Sequence, residues 1–133
     1  MTSRTAVGAV AIGAVVAAVA AGLFVLDSPG EARLARLDSR RVEDLQALAA
    51  SVNVFSTRRG RLPASLEELW AEPGITLISA DPAGVPYEYR RLGEGAYEVC
   101  AVFERPSDDP RSTTFWVHGA GRQCFSPAVR SVN

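Results

Sequence analysis

The sequence predicts an α+β protein: an N-terminal transmembrane helix, then a long amphipathic helix packed on a small antiparallel sheet of three or four strands. Two helical runs fill the first half of the chain, one uncharged from Ala6 to Leu26 and one amphipathic from Glu31 to Arg59. Segments with strand-like alternation and turn residues follow from Tyr87 onward. A sheet this small needs one covered face, and the apolar stripe of the amphipathic helix is the available cover.

The uncharged run is long enough to span a lipid bilayer. It holds 21 residues, and a helix of that length covers the ~30 Å hydrocarbon layer. A cleaved signal peptide is the alternative, because Ala18-Val19-Ala20 fits the small-residue cleavage pattern. Apolar residues continue past that site to Leu26, which favours a retained segment. We therefore predict a membrane anchor at residues 1–27 that contacts the bilayer through residues 6–26.

The amphipathic run predicts a spine helix over residues 28–60. Ser28 and Glu31 match a capping pattern at its start, and the same stretch also fits a kink in one continuous helix. Gly60 follows the last turn as a C-cap glycine. From Val42 onward the apolar residues recur every three or four positions and share one face. The predicted core residues of the spine are Leu45, Leu48, Val52 and Phe55, and its predicted solvent face carries Arg40, Glu43, Asp44, Gln46 and Asn53.

Residues 61–133 predict a short helix and a sheet that form one domain with the spine. Ser65 and Glu68 match a capping box, so a short helix begins there. Its apolar residues, expected to pack back on the spine, are Leu66, Leu69 and Trp70. The predicted strands are Tyr87–Leu92, Ala96–Glu104 and Thr113–His118, with Gln123–Phe125 as a short return strand. The predicted core residues outside the spine are Leu69, Tyr87, Val99, Phe103 and Trp116.

The two cysteines, Cys100 and Cys124, are candidates for a disulfide. They lie 24 residues apart, and closing that loop would stabilise the fold by ~3 kcal/mol in the chain-entropy model. Such a bond persists in an oxidising compartment, whereas two free thiols would fit a cytosolic core. There is no CxxC motif, and His118 is the one histidine. The sequence therefore predicts no metal site and no cofactor.

Charge and motifs argue against nucleic-acid binding and against catalysis. The formal net charge is −1, whereas a nucleic-acid interface needs a basic surplus on one face. His118 ends a predicted strand without a triad motif around it. Because Tyr87, Tyr89 and Tyr97 alternate in strands, they indicate core or cross-strand pairs rather than an aromatic binding surface. We therefore expect that this protein is not an enzyme.

A rigid turn precedes the first predicted strand. Pro82 fixes φ, Gly84 allows a positive φ, and Asp81 can bond the backbone amides ahead of it. This turn continues into the strand and resembles the Asp-Pro-Trp-Gly-x-Pro-Tyr-x-Tyr motif of the type IV pilin-like proteins, most closely that of the type II secretion major pseudopilin. The positions that match this turn motif are Asp81, Pro82, Gly84, Pro86, Tyr87 and Tyr89.

Two further segments resemble the same family. The segment that ends the spine helix, from Phe55 to Pro63, is similar to the aromatic-x-Gly-x-Tyr-Pro segment at the same place in the family. Ser65–Leu69 looks like the short helix that follows this segment in the family. The likeness covers residues 42–103. The resemblance implies a pilin-like domain with a structural or protein-interaction role.

The chain also departs from that family. A prepilin peptidase site requires a glycine followed by an aromatic residue and a glutamate, whereas Gly8 and Gly13 are followed by Ala, Val and Ile. Ala83 stands where the family has Trp. Asp108 and Asp109 are the nearest counterparts of the pseudopilin calcium loop, and they indicate a solvated turn. We therefore expect a pilin-like domain on an ordinary anchor, not a processed fibre subunit.

The resemblance and the cysteine pair lead us to expect the C-terminal domain in the periplasm. The positive-inside rule argues the opposite, because Arg33, Arg36, Arg40 and Arg41 follow the anchor. We expect a single-pass, non-enzymatic protein of the cytoplasmic membrane that docks with a protein partner in the envelope. The alternative is an anchored extracytoplasmic sensor or ligand-binding domain. An uncovered apolar sheet face would favour docking, and an enclosed pocket with convergent polar groups would favour a ligand.

Overall fold

The protein has an α+β fold, as the sequence predicts. The structure is a computed structural model that describes residues 3–25, 28–76, 80–107 and 114–129. Its helices are α1 (Ser3–Val25), α2 (Pro29–Arg59) and α3 (Leu66–Trp70). Its strands are β1 (Glu88–Arg91), β2 (Tyr97–Phe103) and β3 (Gly121–Phe125), which form one antiparallel sheet in the order β1-β2-β3. The chain divides into two units, Met1–Arg33 and Leu34–Asn133.

The first unit contains α1 and the beginning of α2. No described side chain of α1 is buried, and Phe24 exposes 91% of its surface. The helix is long and apolar enough to cross a membrane. At the start of α2 the Glu31 N–H donates to Ser28 Oγ at 3.3 Å, as the predicted cap requires. An apolar helix with no buried side chain has the properties expected of a membrane anchor.

In the second unit, α2 packs on one face of the sheet. The stripe of α2 meets the alternating residues of the central strand β2, because successive side chains of a strand point to opposite faces. Gly60 then ends α2 with a φ of 68°, a conformation that glycine adopts without steric cost. The residues at the centre of this helix–sheet core are Leu45, Leu48, Val52, Phe55, Tyr97, Val99, Ala101 and Phe103.

The predicted core is confirmed at all but one position. Leu69 and Tyr87 are also buried, whereas Trp116 is half-buried and packs against the core from outside. The predicted list omits Leu62, Tyr97, Ala101 and Phe125, which are buried members of the same cluster. Leu62 lies in the connection between α2 and α3, where no helical or strand periodicity marks a residue as buried.

The third predicted strand, Thr113–His118, is wrong over its described residues. Residues 114–119 form a turn and irregular chain, and the Val117 N–H donates to the Thr114 carbonyl at 3.2 Å. Ser107 holds the backbone of His118 through bonds of 2.9 Å and 2.8 Å, which replace a strand ladder at that point. The third strand is β3 instead, and it contains the predicted return strand Gln123–Phe125.

Two side-chain placements predicted for the helices are also wrong. Asp44, predicted on the solvent face of α2, is 9% exposed. Trp70, predicted to pack on α2, is 37% exposed, while its neighbour Leu69 is fully buried. Consecutive residues of a helix lie about 100° apart around its axis, so a helix that buries Leu69 turns Trp70 outward.

Residues of the helix–sheet core should contribute more to the stability of the domain than exposed residues of the same helix. Leu48→Ala and Phe55→Ala should each lower the free energy of unfolding by about 2–5 kcal/mol, because each leaves a cavity between α2 and β2. The matched control is Val54→Ala, because Val54 belongs to the same helix and is 42% exposed; its effect should be about 0.5 kcal/mol or less. Urea unfolding of the full-length protein in detergent, followed by tryptophan fluorescence, measures all three. Equal effects for Phe55→Ala and Val54→Ala would contradict this core.

Candidate functional site

The turn motif adopts the conformation that its residues predict. Asp81 Oδ1 accepts the backbone N–H groups of Ala83 and Val85 at 2.9 Å and 2.8 Å. The Asp81 N–H donates to the Val85 carbonyl at 2.9 Å, and Gly84 has a φ of 84°. Pro86 pairs with Ala80 in an isolated bridge immediately before β1. The turn is therefore held by its own backbone and directs the chain into β1.

Asp81 also binds a buried arginine on α2. Arg41 is 1% exposed, and its Nε donates to Asp81 Oδ2 at 2.6 Å while its Nη1 donates to Asp38 Oδ1 at 2.7 Å. The Asp38 carboxylate accepts two more hydrogen bonds, from the backbone N–H groups of Glu104 and Arg105 at 3.0 Å and 2.9 Å. One cluster thus connects α2, the turn motif and the end of β2.

The electrostatics of this cluster favour its charged form. Burial alone would raise the pKa of Asp81, but the N–H of Val85 and the Arg41 guanidinium outweigh burial and lower that pKa below its ordinary value. Burial alone would likewise lower the pKa of Arg41, and the hydrogen bonds to Asp38 and Asp81 raise it instead. Removing Arg41 would leave two buried carboxylates without their cation, so the cluster depends on this arginine.

The two tyrosines of the turn motif make further connections. The Tyr87 hydroxyl donates to Asp44 Oδ2 on α2 at 2.6 Å, and the Tyr89 hydroxyl donates to the Pro63 carbonyl at 2.8 Å. Burial, followed by the hydrogen bond to Asp44, raises the pKa of Tyr87 far above its ordinary value. Burial raises the pKa of Tyr89 to about 12. Both hydroxyls are therefore neutral donors near neutral pH, and the motif supports the scaffold rather than presenting reactive groups.

The two cysteines form a disulfide, as predicted. Cys100 on β2 lies opposite Cys124 on β3, and their Cα atoms are 4.1 Å apart. The bond lies on the sheet face that points away from α2, where Cys100 is buried and Cys124 is exposed. Its neighbours on this outer face form ion pairs: Arg122 contacts Glu88 through two hydrogen bonds of 3.0 Å and 2.7 Å, and Arg90 contacts Glu98 at 2.6 Å.

A groove of about 330 Å³ lies between α2 and the chain that surrounds His118. Val42 and Trp116 contribute apolar surface to it, and Ser39 and Gln46 contribute polar groups. The His118 ring stacks on Phe103 with 3.7 Å between ring centroids, and its Nδ1 lies 3.1 Å from the Gly119 carbonyl oxygen. The groove is open rather than enclosed. Asp108 and Asp109, the calcium-loop counterparts, lie outside the described residues.

In the structure, residues of the turn motif contact polar residues of α2, a contact that the sequence did not predict. Asp81 and Tyr87 of the turn motif meet the polar α2 residues Asp38, Arg41 and Asp44, none of which was predicted to be buried. A signal for two of them was present, because residues 38, 41, 45, 48, 52 and 55 follow alternating steps of three and four along α2. The buried stripe therefore continues toward the start of the helix with charged residues in place of apolar ones.

The two tyrosines provide a matched test of these connections. Tyr87→Phe should lower the free energy of unfolding by about 1.5–3 kcal/mol, because it removes a donor from a buried carboxylate. Tyr89→Phe removes a donor from a neutral carbonyl and should cost about 0.5–1.5 kcal/mol. Urea unfolding of both variants measures the difference. A loss for Tyr87→Phe no greater than that for Tyr89→Phe would show that the bond to Asp44 does not anchor the turn.

Comparison with known proteins adds no family assignment. No protein-family model, curated protein or solved structure shows a significant match to this chain. The observations that bear on function are therefore the exposed apolar α1, the disulfide, the scaffold built on the turn motif, and the groove beside His118.

Proposed function

We propose that this protein is a non-enzymatic, single-pass membrane protein whose pilin-like domain docks with a protein partner in the cell envelope. The observation that carries the proposal is the exposure of α1 along its whole length. Burying the side chains of such a helix in lipid or against other membrane helices removes its apolar surface from water, which is strongly favourable. The domain would thus be held at the membrane surface, where its partners are other membrane or envelope proteins.

The disulfide supports an extracytoplasmic domain. A cross-strand bond with one exposed cysteine is open to cellular reductants, and thiol-reducing systems keep most cytosolic cysteines unpaired. An oxidising compartment such as the periplasm preserves the bond unless a dithiol reductant acts on it. We therefore propose that the domain from residue 34 onward is periplasmic, and that α1 crosses the cytoplasmic membrane with its N-terminus in the cytoplasm.

The turn motif supports the pilin-like interpretation. Its residues connect the spine helix to the first strand through Arg41, Asp44 and Pro63, so the resemblance lies in the part of the chain that builds the scaffold. The buried side chains of Arg41, Asp44 and Asp81 serve such contacts, which favours a structural role over catalysis. The outer face of the sheet is charged over its described residues, with Val102 as its exposed apolar side chain. A docking surface for a protein partner is therefore expected elsewhere than on this face.

Cysteine labelling in intact cells tests the proposed topology. In a Cys100→Ser/Cys124→Ser background, a cysteine placed at the exposed Ser126 should react with a maleimide that crosses the outer membrane but not the inner one. The matched variant, Thr2→Cys, should react only after the inner membrane is permeabilised. The reverse pattern would place the domain in the cytoplasm, and recovery of the chain in the soluble fraction would exclude the anchor.

The alternative function, an extracytoplasmic sensor or ligand-binding domain, would rest on the groove, which is open rather than enclosed. It combines the apolar surface of Val42 and Trp116 with the polar side chains of Ser39 and Gln46, a mixture typical of small-molecule sites. Native mass spectrometry of the full-length protein extracted from its own membranes separates the two functions. A ligand-binding domain should retain a small molecule that Ser39→Trp loses and Ala47→Trp, on the exposed surface of α2 outside the groove, keeps. A docking domain should instead retain a protein subunit in all three forms.

A further inference from the structure

Three potential metal ligands meet on the outer face of the sheet. Glu98 and Cys100 are two residues apart on β2 and so point to the same face, and Cys124 lies opposite Cys100 on β3. One carboxylate oxygen and the two sulfur atoms all lie within 4.8 Å of one another. In the oxidised protein the sulfurs are bonded to each other and have no thiolate to offer. The proposed docking role uses none of these groups.

We propose that reduction of the Cys100–Cys124 disulfide turns this group into a site for a thiophilic divalent cation such as Zn²⁺. A dithiol reductant supplies two electrons and two protons: it becomes a disulfide, the bond between Cys100 and Cys124 breaks, and each sulfur becomes a thiol. The cation then displaces one proton from each thiol. Two thiolates and the Glu98 carboxylate hold the metal, and water takes the fourth tetrahedral position.

The spacing of the three ligand atoms suits such a cation. Zinc bonds of about 2.3 Å to sulfur and about 2.0–2.2 Å to oxygen place tetrahedral ligand atoms roughly 3.5–3.8 Å apart. The present group lies within 4.8 Å, so rotation of the side chains brings it to that spacing. The backbones of β2 and β3 are held by the antiparallel ladder on both sides of the cysteine pair. The site is therefore built on strands that reduction leaves in place.

The different exposure of the two cysteines indicates how the bond is reduced. Cys124 is exposed and Cys100 is buried, so a reductant thiolate attacks Cys124 Sγ and Cys100 Sγ leaves as a thiolate. Arg122 Nη2 lies 3.5 Å from Cys100 Sγ, where its positive charge stabilises the leaving thiolate. The hydrophobic core cluster lies on the other face and contains neither cysteine. Reduction therefore exposes ligands without removing a core contact.

The charges on this face also favour a divalent cation. Glu88 with Arg122 and Glu98 with Arg90 are balanced pairs in the oxidised protein. Two thiolates add two negative charges, and one divalent cation restores the balance. The Glu98 carboxylate must leave Arg90 to reach the metal, and the Arg90 side chain, which is 70% exposed, then moves into water.

Metal binding to the full-length protein in detergent tests the proposal. The protein is reduced with a phosphine, which takes an oxygen from water to become a phosphine oxide, and is then titrated with Zn²⁺ against a chromophoric chelator. We expect one Zn²⁺ per reduced chain and none per oxidised chain. Co²⁺ should give a sulfur-to-metal charge-transfer absorption in the reduced chain alone. Failure of the reduced chain to bind, or equal binding by the oxidised chain, would overturn the proposal.

Matched carboxylate variants test the composition of the site. Glu98→Gln should weaken Zn²⁺ binding by about tenfold or more, whereas Glu94→Gln, at an exposed position in the turn between β1 and β2, should change it by less than about threefold. Cys124→Ser should abolish binding. Zinc should also raise the unfolding temperature of the reduced domain, since a ligand of the folded state stabilises it. Equal affinities for the two glutamate variants, or binding without a rise in unfolding temperature, would mean that unfolded thiols bind the metal and would refute the site.

Discussion

The buried Arg41 side chain is the contact on which the arrangement of the domain depends. Its guanidinium binds Asp38 three residues earlier on α2 and Asp81 forty residues later in the turn motif. Asp38 in turn accepts the backbone N–H groups that follow β2. A guanidinium buried this completely is stable only with carboxylates beside it, and without the arginine both buried carboxylates would lack a counter-ion. The cluster therefore specifies one position of α2 on the sheet, whereas apolar contacts alone tolerate several.

This cluster also explains the roles of the turn motif. A rigid turn could direct the chain into β1 without touching α2, yet Asp81 and Tyr87 both reach polar groups of that helix. The motif thus has an internal function, which is to join the spine to the first strand. A resemblance carried by these residues is a resemblance of the scaffold, whereas the role proposed for the protein rests on the exposed apolar helix α1.

The two faces of the sheet differ: one packs against α2, and the other carries charged side chains and the disulfide. The face toward α2 holds the alternating apolar residues of β2 together with the buried Tyr97, whose pKa burial raises to about 12. The outer face carries two carboxylates, two arginines and the disulfide, all accessible from solvent to different degrees. Chemistry on the outer face can change without disturbing the packing on the other, because strand side chains alternate between the two. The proposed reduction-dependent metal site relies on this separation.

The sequence by itself determined the features that depend on neighbouring residues. The helices, the first two strands, the caps at Ser28, Gly60 and Ser65, and the backbone bonds of Asp81 follow from local conformational preferences and spacing. The partners of the disulfide could be predicted because the chain has two cysteines. The α2 stripe was also readable, because apolar periodicity reports which face of a helix is buried.

The tertiary structure alone decided where the polar residues go. Asp44 and Arg41 read as surface residues by type, and only the approach of Tyr87 and Asp81 makes their burial favourable. The predicted strand Thr113–His118 failed for a related reason: Ser107, distant in sequence, binds the His118 backbone, and Phe115 and Trp116 pack on Phe125. The residue pattern of a segment indicates only which secondary structure that segment would prefer without tertiary contacts. Burial of a charge and pairing of a strand are set by partners that the chain brings together only when it folds.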